Sequence, residues 1–119
     1  MSKIIQAANT MISHPEKITG VILQGREGYF LYGPYKWSVS TNGVGDIYWL
    51  TYYPTESTLE SIARAGDLPE EEKIVYSSRD IGTKEAFQTF RDLYLMVKEK
   101  AVGVHDVLND IIKDDEAPF

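Results

Sequence analysis

The chain contains no cysteine, which excludes a disulfide framework, a thiolate metal site and any cysteine nucleophile or redox couple. Histidine is nearly as scarce: His14 and His105 are the only two, and they lie far apart in the sequence. A zinc site needs three or four convergent ligands, so no metal and no cofactor is expected. Long hydrophobic runs are also missing. No segment approaches the roughly 20 apolar residues of a membrane span, and Met1 to Asn9 lacks the apolar stretch of a signal peptide. Together these absences lead us to expect a cytoplasmic protein that does not engage a membrane.

Positive charge is in short supply. Twelve Lys and Arg face 18 Asp and Glu, for a formal net charge of −6. Residues 1 to 66 carry five acids and five bases, whereas 67 to 119 carry thirteen acids and seven bases. Nucleic-acid affinity is built mainly from Lys and Arg contacts that release counterions, so no nucleic-acid partner is expected. An acidic half does suit a basic protein partner, because it steers encounter.

The usual signs of catalysis are absent as well. Ser77-Ser78-Arg79-Asp80 brings hydroxyls, a base and an acid together, but no Gly-x-Ser-x-Gly elbow or Ser-x-x-Lys motif surrounds them; the segment reads as a strand end and turn. Gly43-Val44-Gly45 joins two strands and opens no helix, which rules out a dinucleotide fingerprint. The acidic run Glu70-Glu71-Glu72 lacks the alternating oxygen ligands and the glycine of a calcium loop. On these grounds the sequence leans against an enzyme.

Aromatic residues, by contrast, are abundant. Nine of the fourteen fall within 25 residues: Tyr29, Phe30, Tyr32, Tyr35, Trp37, Tyr48, Trp49, Tyr52 and Tyr53. A strand points successive side chains to opposite faces, so aromatics at both odd and even positions line both sides of a sheet. One side is a core. The other is either a second core or an exposed surface.

The organisation follows from periodicity and punctuation. Ile4, Ile5, Ala8, Met11 and Ile12 form one stripe behind Ser2, which predicts a helix over 3 to 13. Residues 15 to 24 are ambiguous: Pro15, Ile18, Val21 and Ile22 keep helical spacing, while Thr19, Gly20 and the β-branched residues favour a strand. The reading leans to a short helix, followed by a turn over 25 to 28. Strands over 29 to 33, 36 to 41 and 46 to 53 form an antiparallel meander with turns at Gly33-Pro34-Tyr35 and Asn42-Gly43-Val44-Gly45. A capping box of Ser57 and Glu60 opens a helix that Gly66 closes. Asp67 to Lys73 reads as an exposed loop before a strand at 73 to 77. Thr83 caps a long helix with the stripe Phe87, Phe90, Tyr94, Val97 and Ala101. After Gly103, the positions Val104, Val107, Leu108, Ile111 and Ile112 repeat that pattern.

The fold expected is a single α+β domain over 1 to 119: an antiparallel β-meander of about four strands packed against helices from both chain ends. The function expected is that of a non-enzymatic protein-interaction module, for instance an acidic immunity or inhibitor protein that grips a basic partner through the aromatic hairpin. Tyr32, Tyr35, Trp37 and Tyr53 are the candidate partner-binding residues, since Tyr and Trp desolvate a large area while keeping a polar handle. Two alternatives accompany this reading. One is a small-molecule binder or weakly marked enzyme with a pocket walled by Tyr48, Trp49, Tyr52 and Tyr76. The other is a homo-oligomer that uses the aromatic face as its interface.

Overall fold

In a computed structural model, which describes residues 2–65 and 73–116, the first element is a helix, α1 (Lys3–Ser13). The Ser2 side chain accepts a hydrogen bond from the Ile5 N–H at its start, satisfying one donor that a helix N-terminus leaves free. His14 closes it: its backbone N–H donates to Met11 O and its Nδ1–H to Thr10 O. A single 3-10 turn, Pro15–Lys17, leads into β1 (Ile18–Gln24).

Segment 15 to 24 is therefore mostly strand, not the short helix its spacing favours. The cause is a β-bulge. The register between β1 and β2 (Glu27–Tyr32) slips between Thr19 and Ile22, where Gly20 takes φ 62°. Ile18 and Val21 consequently pack into the same cluster although they are three positions apart, an interval that an unbulged strand would send to opposite faces. The bulge imitates helical periodicity.

The meander continues through β3 (Tyr35–Thr41), β4 (Tyr48–Tyr52) and, after α2 (Leu59–Ala65), β5 (Ile74–Ser77). All five strands are antiparallel in sequential order β1-β2-β3-β4-β5, one more than expected; β1 is the strand that sequence periodicity disguises. Between β2 and β3, Tyr32 pairs with Tyr35 around Gly33-Pro34. Gly33 has φ 58°, as the first position of a two-residue hairpin turn requires.

Three helices follow the last strand: α3 (Ser78–Ile81), α4 (Lys84–Val102) and α5 (Val104–Glu116). Of residues 77 to 80, read as strand end and turn, Ser77 does end β5, but the rest begin the one-turn α3, with the Ser77 side chain accepting from the N–H groups of Arg79 and Asp80. The α2 cap likewise moves by one residue: Thr58, not Ser57, accepts from the Ser61 N–H. The expected stop at Gly66 and most of the 67–73 loop lie outside the described residues. Thr83 caps α4 as expected, its Oγ1 accepting from Ala86 N. Thr83→Ala should lower unfolding free energy by about 1 kcal/mol in urea titrations.

Cross-strand register defines the faces. Phe30 pairs with Trp37, Trp37 with Tyr52, Val39 with Leu50 and Leu50 with Tyr76, so these side chains share one face. There α4 and α1 cover the sheet. Phe90, Leu93 and Val97 of α4 meet Phe30, Val39 and Leu50, with Ala8 and Met11 of α1 alongside. Thr89 Oγ1 donates to Asn9 Oδ1 across the two helices. On the opposite face α2 buries Leu59, Ile62 and Ala63 against Tyr29 and Tyr53, with Ile22 and Leu31 at the margin. Helices α1 and α4 thus share one face, and α2 from mid-chain takes the other.

Candidate functional site

The aromatic stretch separates into three environments. Tyr29, Phe30 and Tyr48 are core residues, exposed by 2, 0 and 6%. Tyr48 is enclosed by Phe87 and Tyr94, at ring-centroid distances of 5.4 and 5.7 Å. Trp49 alternates to the opposite face from Tyr48 and Tyr52, so Tyr48, Trp49, Tyr52 and Tyr76 do not converge on one pocket.

Tyr53, one of the four candidates, is only 6% exposed and belongs to a polar network under α2. Its hydroxyl lies 2.8 Å from Ser38 Oγ and 3.5 Å from Glu27 Oε2. Ser38 Oγ donates to Glu27 Oε2 at 2.7 Å, and Tyr29 OH donates to Glu27 Oε1 at 3.1 Å. A half-buried carboxylate with three hydroxyls around it is satisfied, and that satisfaction is what allows it to sit under a helix. Ser38, being 0% exposed, has no access to a substrate. The network joins β2, β3 and the residue that follows β4, and so ties the sheet together beneath α2.

The other three candidates do gather, at the hairpin end of the face that carries α1 and α4. Tyr35 is 54% exposed. Its ring meets Tyr52 edge-on at 6.4 Å, and Tyr52 in turn lies 5.0 Å from Trp37. Trp37 is half-buried, and its Nε1–H has no hydrogen-bond partner among the described residues. Tyr32, half-buried and paired with Tyr35 across the turn, lies 5.9 Å below the Lys17 ammonium, within cation–π range.

A shallow groove of about 350 Å³ opens here, walled by Pro34, Tyr35, Lys36, Tyr52, Pro54 and Glu56. Its rim is held by hydrogen bonds: the Tyr53 N–H donates to Lys36 O, and Lys36 Nζ donates to Thr55 O, each at 3.0 Å. Two prolines and two strand ends make the walls rigid. Such a surface can stack on and desolvate an apolar or aromatic group, with Lys36 and Glu56 at its edge for polar contacts.

Tyr52 belongs to this cluster, yet sequence reasoning placed it only in the alternative pocket. Alternation within β4 puts Tyr52 with Leu50. Pairing Tyr52 with Trp37 requires the β3–β4 register, which the longer connection from Asn42 to Ile47 does not reveal.

Among the described residues no three His, Asp or Glu side chains come close enough to hold a metal ion, and no helix is long and apolar enough to cross a membrane. Comparison with protein-family models, with curated proteins and with solved structures finds nothing that matches this chain.

Proposed function

We propose that the chain is a non-enzymatic protein-interaction module that anchors a partner on Tyr35 and Tyr52 in the groove between Pro34 and Pro54. The observation that carries this reading is the exposure of Tyr35, more than half in water and edge-on to a second tyrosine, on walls held by one backbone and one side-chain hydrogen bond. Interface energy concentrates on aromatic anchors of this kind. The formal charge of −6 favours a basic partner, as an inhibitor or immunity protein would have. Tyr32 and Trp37 support the groove from behind, while Tyr53 lines it with its hydroxyl turned into the Glu27–Ser38 network.

The test is affinity capture of a partner with the intact chain, followed by titration of that partner against Tyr35→Ala and Tyr52→Ala. Tyr35→Ala should change stability by no more than about 0.5 kcal/mol. It should also weaken binding by about 30-fold, a loss of roughly 2 kcal/mol. Unchanged affinity in both variants removes the groove from consideration.

A further inference from the structure

The chain holds one Asn-Gly pair, Asn42-Gly43, and the structure places it in the connection between β3 and β4. An asparagine carries an electrophilic side-chain carbonyl within reach of the next residue's backbone nitrogen, and attack by that nitrogen closes a five-membered ring. The side chain of the following residue ordinarily crowds the nucleophile. Glycine has none. Gly43 is also exposed, and its N–H has no hydrogen-bond partner among the described residues, so the nitrogen is open to water and to base.

The carbonyl it would attack is not open. Asn42 Nδ2 donates to the Asp46 carboxylate, and the Asp46 N–H donates back to Asn42 Oδ1 at 3.1 Å. One residue therefore holds both ends of the side-chain amide. The Gly45 N–H donates to Asn42 O at 3.3 Å, which fixes the main chain beside it. For the ring to close, Asn42 Cγ must turn onto the Gly43 nitrogen, and the amide must first release Asp46.

We propose that Asn42 is a self-modification site, converted through a cyclic imide to aspartate and isoaspartate, and that Asp46 keeps it closed while the chain is folded. Base takes the proton from the Gly43 N–H, and the nitrogen forms a bond to Asn42 Cγ. The Cγ–Nδ2 bond breaks, and Nδ2 takes up a proton from water and leaves as ammonia. Water then opens the imide. Cleavage of the new bond to Cγ yields aspartate, and cleavage at the main-chain carbonyl of residue 42 yields isoaspartate, with the chain rerouted through the former side chain. The net change is one water consumed and one ammonia released. Either product sets a carboxylate at residue 42 in place of the amide donor that Asp46 held, so the loop does not re-close on a modified chain.

The test is incubation of the intact chain in mildly alkaline buffer, folded and in urea, with peptide mapping by mass spectrometry and an isoaspartate-specific methylation assay. Conversion at residue 42 should be at least about 10-fold faster in urea than in the folded parent, the factor that a hydrogen bond to a charged group represents. Folded Asp46→Ala should react about 10-fold faster than the folded parent, yet at the parent's rate in urea. Asp46→Asn, which keeps an acceptor for Asn42 Nδ2, should stay near the parent, and circular dichroism checks that both variants fold. Gly43→Ala should slow conversion in urea; its Cβ would lie 3.4 Å from the flexible end of Arg26, so the folded loop accommodates it. Three results would overturn the proposal: no conversion at residue 42 in urea, a folded parent as fast as the unfolded chain, or a folded Asp46→Ala no faster than the parent. A Gly43→Ala chain that reacts as fast as the parent in urea would also overturn it, since the product would then not arise by attack of this nitrogen.

Discussion

Phe90→Ala should lower the unfolding free energy by about 3–5 kcal/mol, the range for emptying a buried aromatic site. Phe90 is 0% exposed and lies at the centre of the inward face of α4. Around it are Phe30, Val39 and Leu50 from three strands and Met11 from α1. The site has little freedom to collapse. The helix is tied at one end by Thr83 and at the other by Gly103, and the sheet below is braced by the Glu27–Ser38–Tyr53 network. Domains of this kind are stable by only about 5–15 kcal/mol, so the loss is a large share of the total. A urea titration should show the midpoint falling by more than about 1 M, given slopes of 1–3 kcal/mol per M. Leu95→Ala, on the same helix but 45% exposed, serves as the contrast and should change stability by less than about 1 kcal/mol. Equal effects at the two positions would mean that α4 does not present this face to the sheet.

Much of this architecture was legible from residue patterns. The Ser2 and Thr83 caps, the Gly103 stop and the stripe through Phe90, Tyr94 and Val97 are local signals. They remained true because tertiary packing uses the same stripe that the periodicity displays. What failed did so where tertiary geometry overrides a local period. Ile18, Val21 and Ile22 keep helical intervals because a bulge at Gly20 redirects the strand, and nothing local distinguishes that from a turn of helix. The expected binding residues divided for a related reason. Tyr53 and Tyr35 are equally aromatic in sequence, but α2 covers one and nothing among the described residues covers the other. Alternation assigns a side chain to a face; which helix will lie on that face depends on contacts distant in sequence. The stripe on α5 makes the same point in reverse, since its periodicity foretells a helix and not what that helix packs against.

Gly28 is the residue whose importance the sequence conceals most, because beside Gly25, Arg26 and Glu27 it reads as part of a turn. In the structure it lies within β2, paired with Leu23 and Val39, facing α4. A Cβ at Gly28 would sit 2.7 Å from Val97 Cγ1, closer than two carbon atoms can pack. Val97 is 1% exposed, and a β-branched side chain in a helix has one strongly preferred rotamer. It cannot swing aside, so the helix itself must lift. Gly28 therefore sets how closely α4 lies on β2. Replacing a strand glycine by alanine ordinarily stabilises a protein by about 0.4–1 kcal/mol, through the unfolded chain, wherever the native site accepts a Cβ. Here the sign should reverse: Gly28→Ala is expected to cost about 1–3 kcal/mol, as overpacking does, and Gly28→Val more. Val97→Ala removes the opposing methyl groups, so in a double-mutant cycle the pair should be more stable than the sum of the single changes by about 0.5–3 kcal/mol. A Gly28→Ala protein as stable as the parent in urea, or a cycle that closes without coupling, would show that the helix does not approach the strand this closely.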